Sequence, residues 1–198
     1  LNLTWEVLEG MVKHETEYDK SDASEFDPQL RGHLEAQITN VADELAYTSH
    51  DLDDGLRSGL ISTDMLQGIA LWDQVAEQFE HTGCQLDDLG RHRVIRELVG
   101  LEVDSMIASS SAAIDRHHLH LPRELQSLPM NVVAFDETMQ QRNRELKDFL
   151  YSKMYRHYRV VRMQTKAERI LTGLFNAYVD QPTMLPNQFQ EQIEVKGI

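Results

Sequence analysis

The sequence of 198 residues is poor in cysteine and proline and contains no long apolar run. The single cysteine, Cys84, has no partner for an internal disulfide, which favours a reducing compartment and predicts a cytoplasmic protein. No apolar run approaches the ~18 residues of a membrane-spanning helix, and the chain starts at Leu1 without a basic leader. These absences argue against a membrane protein and against a disulfide-rich secreted domain.

The charge is strongly negative but unevenly distributed. A formal net charge of −14 argues against general nucleic-acid binding by the whole surface, although local nucleic-acid binding is left undecided. Between Arg142 and Arg169, however, nine Lys and Arg residues stand against three Asp and Glu residues. A basic segment in an acidic chain predicts an acidic ligand or an acidic neighbouring surface.

Apolar residues recur at helical spacing along almost the whole chain, and no alternating strand pattern of useful length is present. The sequence therefore predicts an all-α fold. Good helix starts are Thr4, Asp27-Pro28, Ser62 or Thr63, Asp87 and Asp136. Two prolines between His117 and Met130 predict a long connection. We divide the chain into residues 1–115, a connection over 116–135, and a second helical region over 136–198.

The second predicted helix has a face that is rich in acids and opposite its apolar stripe. At ~100° per residue the following residues share it: Asp43, Tyr47, His50, Asp51 and Asp54. A solvated polar face is the simple alternative. Three features favour a ligand site: small residues lie beside the acids, Tyr47 stands between two carboxylates, and the interleaved Lys and Arg that usually support an exposed helix are missing.

The residues of this helix also carry a family resemblance. The run Asn40-Val41-Ala42-Asp43-Glu44-Leu45-Ala46-Tyr47, followed by His50-Asp51-Leu52-Asp53-Asp54-Gly55-Leu56, strongly resembles the deoxyguanosine triphosphate triphosphohydrolases. Weaker matches in the same order begin at Leu1-Asn2-Leu3-Thr4 and continue through Leu146-Lys147-Asp148-Phe149-Leu150-Tyr151 to Leu185-Pro186. The resemblance implies the carboxy-terminal part of an HD-domain-like helical bundle with an associated helical region.

By this resemblance, Asp43 corresponds to the last ligand of the family's metal site, and Tyr47 and Asp51 correspond to residues that hold the deoxyribose. The implied cofactor is a divalent metal (Mg²⁺, Mn²⁺ or Co²⁺), for which a carboxylate is a suitable ligand. The implied substrate is a dNTP, which the family cuts into a deoxynucleoside and inorganic triphosphate. A Tyr hydroxyl and an Asp carboxylate can together donate to and accept from a sugar hydroxyl.

The sequence departs from the family pattern in one large respect. The first metal-binding His, the metal-binding His-Asp pair and the catalytic His of the family would all precede Leu1, so His50-Asp51 is not that pair. We therefore expect a fragment that is inactive alone, whose catalytic residues lie upstream.

Two groups of cations are candidate phosphate or effector contacts. Arg91 and Arg96 open the fourth helix, where guanidinium groups could bind phosphate. Arg159, Arg162, Lys166 and Arg169 follow one another at helical spacing and share a face. For both groups a solvated helix surface is the alternative. The resemblance also implies a dNTP effector and a homo-oligomer, which the second group could serve.

The sequence thus predicts a dNTP triphosphohydrolase of nucleotide metabolism. One alternative is a different HD-domain phosphohydrolase. The other is a non-catalytic helical module used for assembly or regulation.

Overall fold

A computed structural model describes residues 2–14, 25–80 and 87–197, without the side chains of residues 78–80. The described residues form helices and turns, with no β-strand among them, which confirms the all-α prediction. The α-helices are α1 (Trp5–Val12), α2 (Leu34–Arg57), α3 (Thr63–Leu66), α4 (Ala70–Glu80), α5 (Asp88–Arg116), α6 (Pro122–Gln126), α7 (Glu137–Leu150), α8 (Tyr158–Asp180) and α9 (Asn187–Lys196). A π-helix spans Tyr151–Tyr155 and a 3-10 helix spans Pro182–Met184. None of the helices in the described part is long and apolar enough to cross a membrane.

Three predicted helix starts are confirmed by the side chains that cap them. The hydroxyl of Thr4 accepts a hydrogen bond from the Val7 amide at 3.4 Å. The carboxylate of Asp87 accepts from the Gly90 amide at 2.7 Å, and that of Asp136 accepts from the Met139 amide at 2.9 Å. Each cap satisfies one of the backbone N–H groups that a helix start leaves without a partner.

The predicted start of the second helix at Asp27-Pro28 is wrong. Asp27 instead accepts from the Gln29 amide at 2.9 Å and closes a turn. The helix begins at Leu34, after His33, whose Nδ1 accepts from the Ala36 amide at 3.3 Å. The other ring nitrogen of His33 lies 2.8 Å from the carbonyl oxygen of Glu6. The start of α2 is therefore set by the contact between His33 and α1. The residue propensities near Asp27 could not predict this contact.

The third and the last predicted helices are each divided in the structure, and the predicted connection contains a short helix. Gly68 has φ +89°, a left-handed conformation that glycine adopts readily, and it separates α3 from α4. Glycine often ends a helix, so the sequence also predicts an end of this helix at Gly83, which lies outside the described residues. The predicted connection after His117 contains α6, where the Glu124 carboxylate accepts from the Leu121 amide at 3.0 Å. The predicted final helix is divided by the π-helix, after which α8 begins.

The chain folds as two compact units, Leu1–Leu150 and Tyr151–Ile198. In the first unit α2 contacts α1, α5, α6 and α7, and α4 packs against α5 and α7. In the second unit α8 contacts the π-helix and the 3-10 helix, and α9 contacts the 3-10 helix. The predicted division at residues 115 and 136 stays a prediction.

The core of the first unit is built from the helices that surround α2. Its most completely buried side chains include Leu52 of α2, Leu66 of α3, Leu71 and Val75 of α4, Leu98 of α5 and Leu146 of α7. Full burial of a leucine stabilises a fold by roughly 1.5–3 kcal/mol, so this set is a large part of the stability of the unit.

Buried polar side chains fix the amino-terminal end of α2. Gln37 is 2% exposed; its amide nitrogen donates to the Gly32 carbonyl at 2.8 Å, and its amide oxygen accepts from the Val132 and Val133 amides at 2.7 and 3.2 Å. These bonds tie the segment before α7 to α2. Because each buried polar group of Gln37 has a partner, its burial costs little and its geometry is specific.

A second buried polar group, Glu102 of α5, is less well satisfied. It is fully buried, and Asn143 of α7 donates a hydrogen bond to its Oε1, whereas Oε2 has no partner among the described residues. Burial raises the pKa of Glu102 to about 7, although the Asn143 hydrogen bond acts in the opposite direction. The carboxyl group is therefore held in its neutral form at mildly acid pH.

We expect the free energy of unfolding to fall as the pH rises from about 4.5 to about 7, because the Glu102 carboxyl ionises first in the unfolded chain. The loss amounts to roughly 3 kcal/mol at most, as each unit of pKa difference corresponds to about 1.4 kcal/mol. Glu102→Gln should flatten this part of the pH profile, measured by urea unfolding below, within and above the window. The exposed Glu97 on the same helix supplies the control, Glu97→Gln. An equal pH dependence in both variants would contradict the assignment.

Candidate active site

The acidic face of α2 is its solvent side. Leu45, Thr48 and Leu52 point into the core, whereas Asp43 and Tyr47 are exposed on the opposite side of the helix. Burial of one face therefore leaves the predicted site residues on the other, on a continuous helix without a break between Leu34 and Arg57. Asp43 and Tyr47 thus share the solvent side of α2, in keeping with their helical spacing.

Asp43 lies next to a histidine that was not predicted as a site residue. Its Oδ2 is 3.9 Å from Nε2 of His14, which follows α1, and the Asp43 side chain is 63% exposed. This distance is too long for a hydrogen bond but places two potential metal or ligand contacts side by side. No sequence signal could have paired them, because 29 residues separate them and only the packing of α1 on α2 brings them together.

A cleft of about 550 Å³ adjoins Asp43 between α1 and α2. It is lined by the apolar residues Val7, Met11 and Ala36 and by the polar residues His14, His33, Glu35, Thr39 and Asp43. The helices approach closely here, since a Cβ on Gly10 would lie 2.8 Å from the His33 ring. The cleft is therefore lined by both apolar and polar side chains, and Asp43 is one of the polar ones.

Tyr47 and Asp51 lie one and two turns beyond Asp43. The Tyr47 side chain is 55% exposed, whereas Oδ2 of Asp51 is buried and has no hydrogen-bond partner among the described residues. The pKa of Asp51 is raised to about 6. Burial is the main cause and the nearby Asp54 carboxylate is the second, while the charge of His50 acts in the opposite direction. Burial and the Asp51 charge also raise the pKa of Tyr47. A phenol that stays protonated beside a carboxylate with an open oxygen can donate to and accept from one hydroxyl group.

The described residues do not by themselves complete a metal site. No three His, Cys, Asp or Glu side chains in the described ranges are grouped so that they could hold an ion. Asp43 and His14 offer two donors, fewer than the four to six that a divalent ion usually takes from protein and water. The arrangement can therefore contribute one carboxylate ligand, with His14 beside it, to a site that needs further ligands.

The two predicted arginines of α5 have different surroundings. Arg91 is 8% exposed. Its Nε donates a hydrogen bond to Oδ1 of Asp53 at 2.7 Å, and its Nη1 donates one to Oδ1 of Asp88 at 2.6 Å. These bonds raise the pKa of Arg91 and link the start of α5 to α2. Arg96 is exposed. The structure thus gives Arg91 a packing role that the sequence did not predict, and phosphate contact stays a prediction for both residues.

The remaining predicted cations belong to the second unit. Arg159, Arg162, Lys166 and Arg169 are exposed on α8. Arg159 Nε lies 3.4 Å from the hydroxyl of Tyr158, and none of the four makes a salt bridge with another described residue. Their roles in effector binding or assembly stay predictions.

Comparison with known proteins identifies relatives over the whole sequence. Residues 133–197 match the family described as phosphohydrolase-associated domain. The chain is 42% identical over 200 residues to a deoxyguanosinetriphosphate triphosphohydrolase-like protein of Geobacter metallireducens, covering 100% of this chain and 52% of that protein. Similarly named proteins of Geobacter sulfurreducens and Deinococcus deserti are 40% and 36% identical over 100% of this chain, which covers 52% and 50% of their lengths. The chain spans about half the length of the curated relatives it matches.

We expect Arg91→Ala to lower the free energy of unfolding, because it leaves the partly buried Asp53 carboxylate without its cation. Arg96→Ala on the exposed side of the same helix is the matched control and should change stability by less than about 0.5 kcal/mol. Urea unfolding of the three proteins measures both values. Equal stability of the two variants would show that Arg91 is not a packing residue.

Proposed function

The chain belongs to the deoxyguanosinetriphosphate triphosphohydrolase-like family, as its resemblance predicted, and we propose that it forms one side of a dNTP triphosphohydrolase active site. The observation that carries this proposal is the outward face of α2, where Asp43, Tyr47 and Asp51 follow one another along the helix. The reaction splits a dNTP with water into a deoxynucleoside and inorganic triphosphate. On this proposal the remaining metal ligands and the catalytic groups come from outside this chain.

In this proposal Asp43 is a metal ligand. Its exposed carboxylate is a hard oxygen donor suited to Mg²⁺ or Mn²⁺, and His14 stands within 3.9 Å. The metal, when bound, would stabilise negative charge on a phosphate. Two donors do not complete its coordination, which supports a site shared with another part of the longer protein. Mg²⁺, Mn²⁺ and Co²⁺ are the candidate ions.

Tyr47 and Asp51 hold the deoxyribose. The support is the buried, unpartnered Oδ2 of Asp51 with the Tyr47 hydroxyl nearby on the same face. A sugar hydroxyl that donates to Asp51 would satisfy this oxygen, and leaving it unsatisfied costs about 1–3 kcal/mol. These two residues bind and orient the sugar, so that the phosphates lie toward Asp43.

The partners proposed for the longer protein are a dNTP substrate, a dNTP effector and further copies of the same chain. Arg159, Arg162 and Lys166 are the proposed contacts for the effector phosphates, supported by their exposure on one helix. Arg91 is the weaker of the two phosphate candidates on α5, because Asp53 and Asp88 already bind its guanidinium. Exposed Arg96 is the stronger one.

The direct experiment measures products from the full-length protein that contains this chain. Each dNTP is supplied alone and in mixtures with Mg²⁺, Mn²⁺ or Co²⁺, since an effector can be required. We expect inorganic triphosphate and a deoxynucleoside from at least one dNTP. Monophosphate with pyrophosphate would support a different HD-domain reaction, and no hydrolysis under any condition would support the non-catalytic assembly module.

Substitutions on α2 should separate metal binding from sugar binding. Asp43→Ala should abolish activity and weaken metal binding in the full-length protein, because it removes a ligand. Tyr47→Phe and Asp51→Asn should leave metal binding intact and lower kcat/KM by roughly 10- to 100-fold, the effect of losing one buried hydrogen bond. Activity assays and metal titration by calorimetry measure both properties.

His50→Ala is the control for these variants. His50 is exposed on the same turn as Asp51, and we do not assign it to the metal site. Its activity should remain closer to that of the unsubstituted protein than that of Asp43→Ala. Metal loss caused by His50→Ala alone would show that His50 belongs to the metal site and would overturn its exclusion from that site.

The isolated 198-residue chain should hydrolyse no dNTP and should bind Mn²⁺ weakly, because Asp43 and His14 are two donors in a solvent-exposed position. Calorimetry of the chain and of Asp43→Asn, with a dNTP hydrolysis assay on both, measures this. Stoichiometric, Asp43-dependent Mn²⁺ binding by the chain alone would show that the ligand set is already complete within it.

A further inference from the structure

Another cavity of the first unit lies at the amino-terminal end of α2. Its volume is about 490 Å³, within the roughly 300–1,000 Å³ of small-molecule sites. It is enclosed by residues from 28–32, by residues from 127–131, by Lys13 and by the first turns of α2. It shares no lining residue with the cleft beside Asp43, so the two are separate.

The lining of this cavity is cationic, although the chain has a net charge of −14. The described residues that line it include Lys13 and Arg31 and no Asp or Glu. Lys13 is already compensated, because its Nζ lies 2.7 Å from the Glu9 carboxylate and donates to the carbonyl oxygens of Asp27 and Leu30. Arg31 makes no salt bridge with another described residue. The uncompensated positive charge of the cavity therefore resides on Arg31.

The Arg31 guanidinium is held by one hydrogen bond and keeps other donors free. Its Nη2 donates to the Pro129 carbonyl oxygen at 2.7 Å, whereas its Nε and Nη1 have no partner among the described residues. The backbone of Arg31 is bonded twice to Gln126, at 2.8 and 3.2 Å. A guanidinium that is positioned in this way suits an oxyanion, which it can bind through two parallel N–H groups.

Asn40 adds an amide group that has no partner in the part of the chain that the structure describes. Its Oδ1 is buried and unbonded, and its Nδ2 donates to no described residue. Because Asn40 lines the cavity, this Nδ2 is a donor available to a ligand. Gln29 and Asn131 line the same cavity and supply two further amide groups. The cavity thus combines N–H donors from three segments of the chain.

The walls of the cavity are fixed by buried hydrogen bonds. Gln37 donates to the Gly32 carbonyl at 2.8 Å and accepts from the Val132 amide at 2.7 Å. It therefore joins both loops that enclose the cavity to α2. A site whose walls are already held in place loses little conformational freedom when a ligand binds.

We propose that this cavity binds the phosphate group of a small molecule. A tetrahedral anion has enough acceptor oxygens for Arg31, Asn40 and Asn131 together, which a carboxylate with two oxygens matches less well. The cavity is larger than a phosphate ion needs, and Leu30 and Leu128 give apolar walls to the rest of a ligand. We therefore expect an organic phosphate monoester to bind more tightly than inorganic phosphate.

Calorimetric titration of the 198-residue chain with ribose phosphate, inorganic phosphate and ribose tests the proposal. We expect a single site for ribose phosphate and no binding of ribose. Tighter binding of ribose phosphate assigns the site to an ester, and equal binding of the two phosphates assigns it to inorganic phosphate. Absence of binding by both phosphates, or binding of ribose as tight as that of ribose phosphate, would overturn the proposal.

Substitutions that line the cavity locate the bound phosphate. Arg31→Gln should weaken ribose phosphate binding roughly 10- to 100-fold, the effect of losing a charge-assisted hydrogen bond. Arg123→Gln is the matched control, because it removes the same charge from an exposed position on α6 outside the cavity. Equal weakening by the two variants would show general attraction of anions and would contradict a site at Arg31.

Asn40→Leu keeps the test valid even if Arg31→Gln disturbs the loop that ends at Pro129. It should weaken ribose phosphate binding roughly 3- to 10-fold, the effect of losing one neutral hydrogen bond. It should not lower the free energy of unfolding, because the amide oxygen that it removes has no partner among the described residues. Unchanged binding by a folded Asn40→Leu chain would exclude Asn40 from the site and contradict the proposal.

The candidate active site supplies a further control. Asp43→Asn should leave ribose phosphate binding unchanged, because the cavity and the cleft beside Asp43 share no lining residue. Loss of binding in Asp43→Asn would place the phosphate at the candidate active site and overturn the proposal. These titrations need neither a metal nor dNTP hydrolysis, so their outcome is separable from that of the proposed activity.

Discussion

Burial of one side of α2 is the constraint on which the rest of the first unit depends. Four helices, α1, α5, α6 and α7, contact it, and Leu52 is fully buried among them. Polar bonds then fix the position of α2 along and around its axis. Gln37 binds two backbone amides before α7, and Asp53 binds Arg91 of α5 at 2.7 Å. With one side held in this way, the opposite side must face outward, and that side carries Asp43, Tyr47 and Asp51.

The same packing creates chemical differences between acids that look alike in the sequence. Asp53 is neutralised by Arg91, and Glu44 by Lys147 of α7, so both serve to join helices. Asp43 remains exposed at the edge of a cleft, and Asp51 keeps a buried oxygen without a partner among the described residues. Desolvation therefore raises the pKa of Asp51 to about 6. Asp53 and Glu44 pair with cations on other helices and hold α2 in place, whereas Asp43 and Asp51 are available to a ligand.

The two units differ in how far they bury their apolar side chains. The described residues of the first unit include buried leucines and valines from six helices, while those of the second include no buried side chain. A helix in water derives most of its stability from packing of its apolar side. The first unit supplies that packing internally. In the second unit the apolar side chains of α8 remain exposed.

The sequence by itself determined the all-α class, the caps at Thr4, Asp87 and Asp136, and the shared face of α2, because these follow from local hydrogen bonding and from helical periodicity. It also identified the family, since the Asp43-to-Asp54 run is specific. Only the tertiary structure decided that α2 begins at Leu34 and not at Pro28, because His33 is held by a carbonyl of α1. Tertiary contacts also place His14 beside Asp43 and pair Arg91 with Asp53. The residues of these two pairs are 29 and 38 positions apart in the sequence. Spacing along one helix can be read from the chain, whereas a partner on another helix is set by how the helices pack.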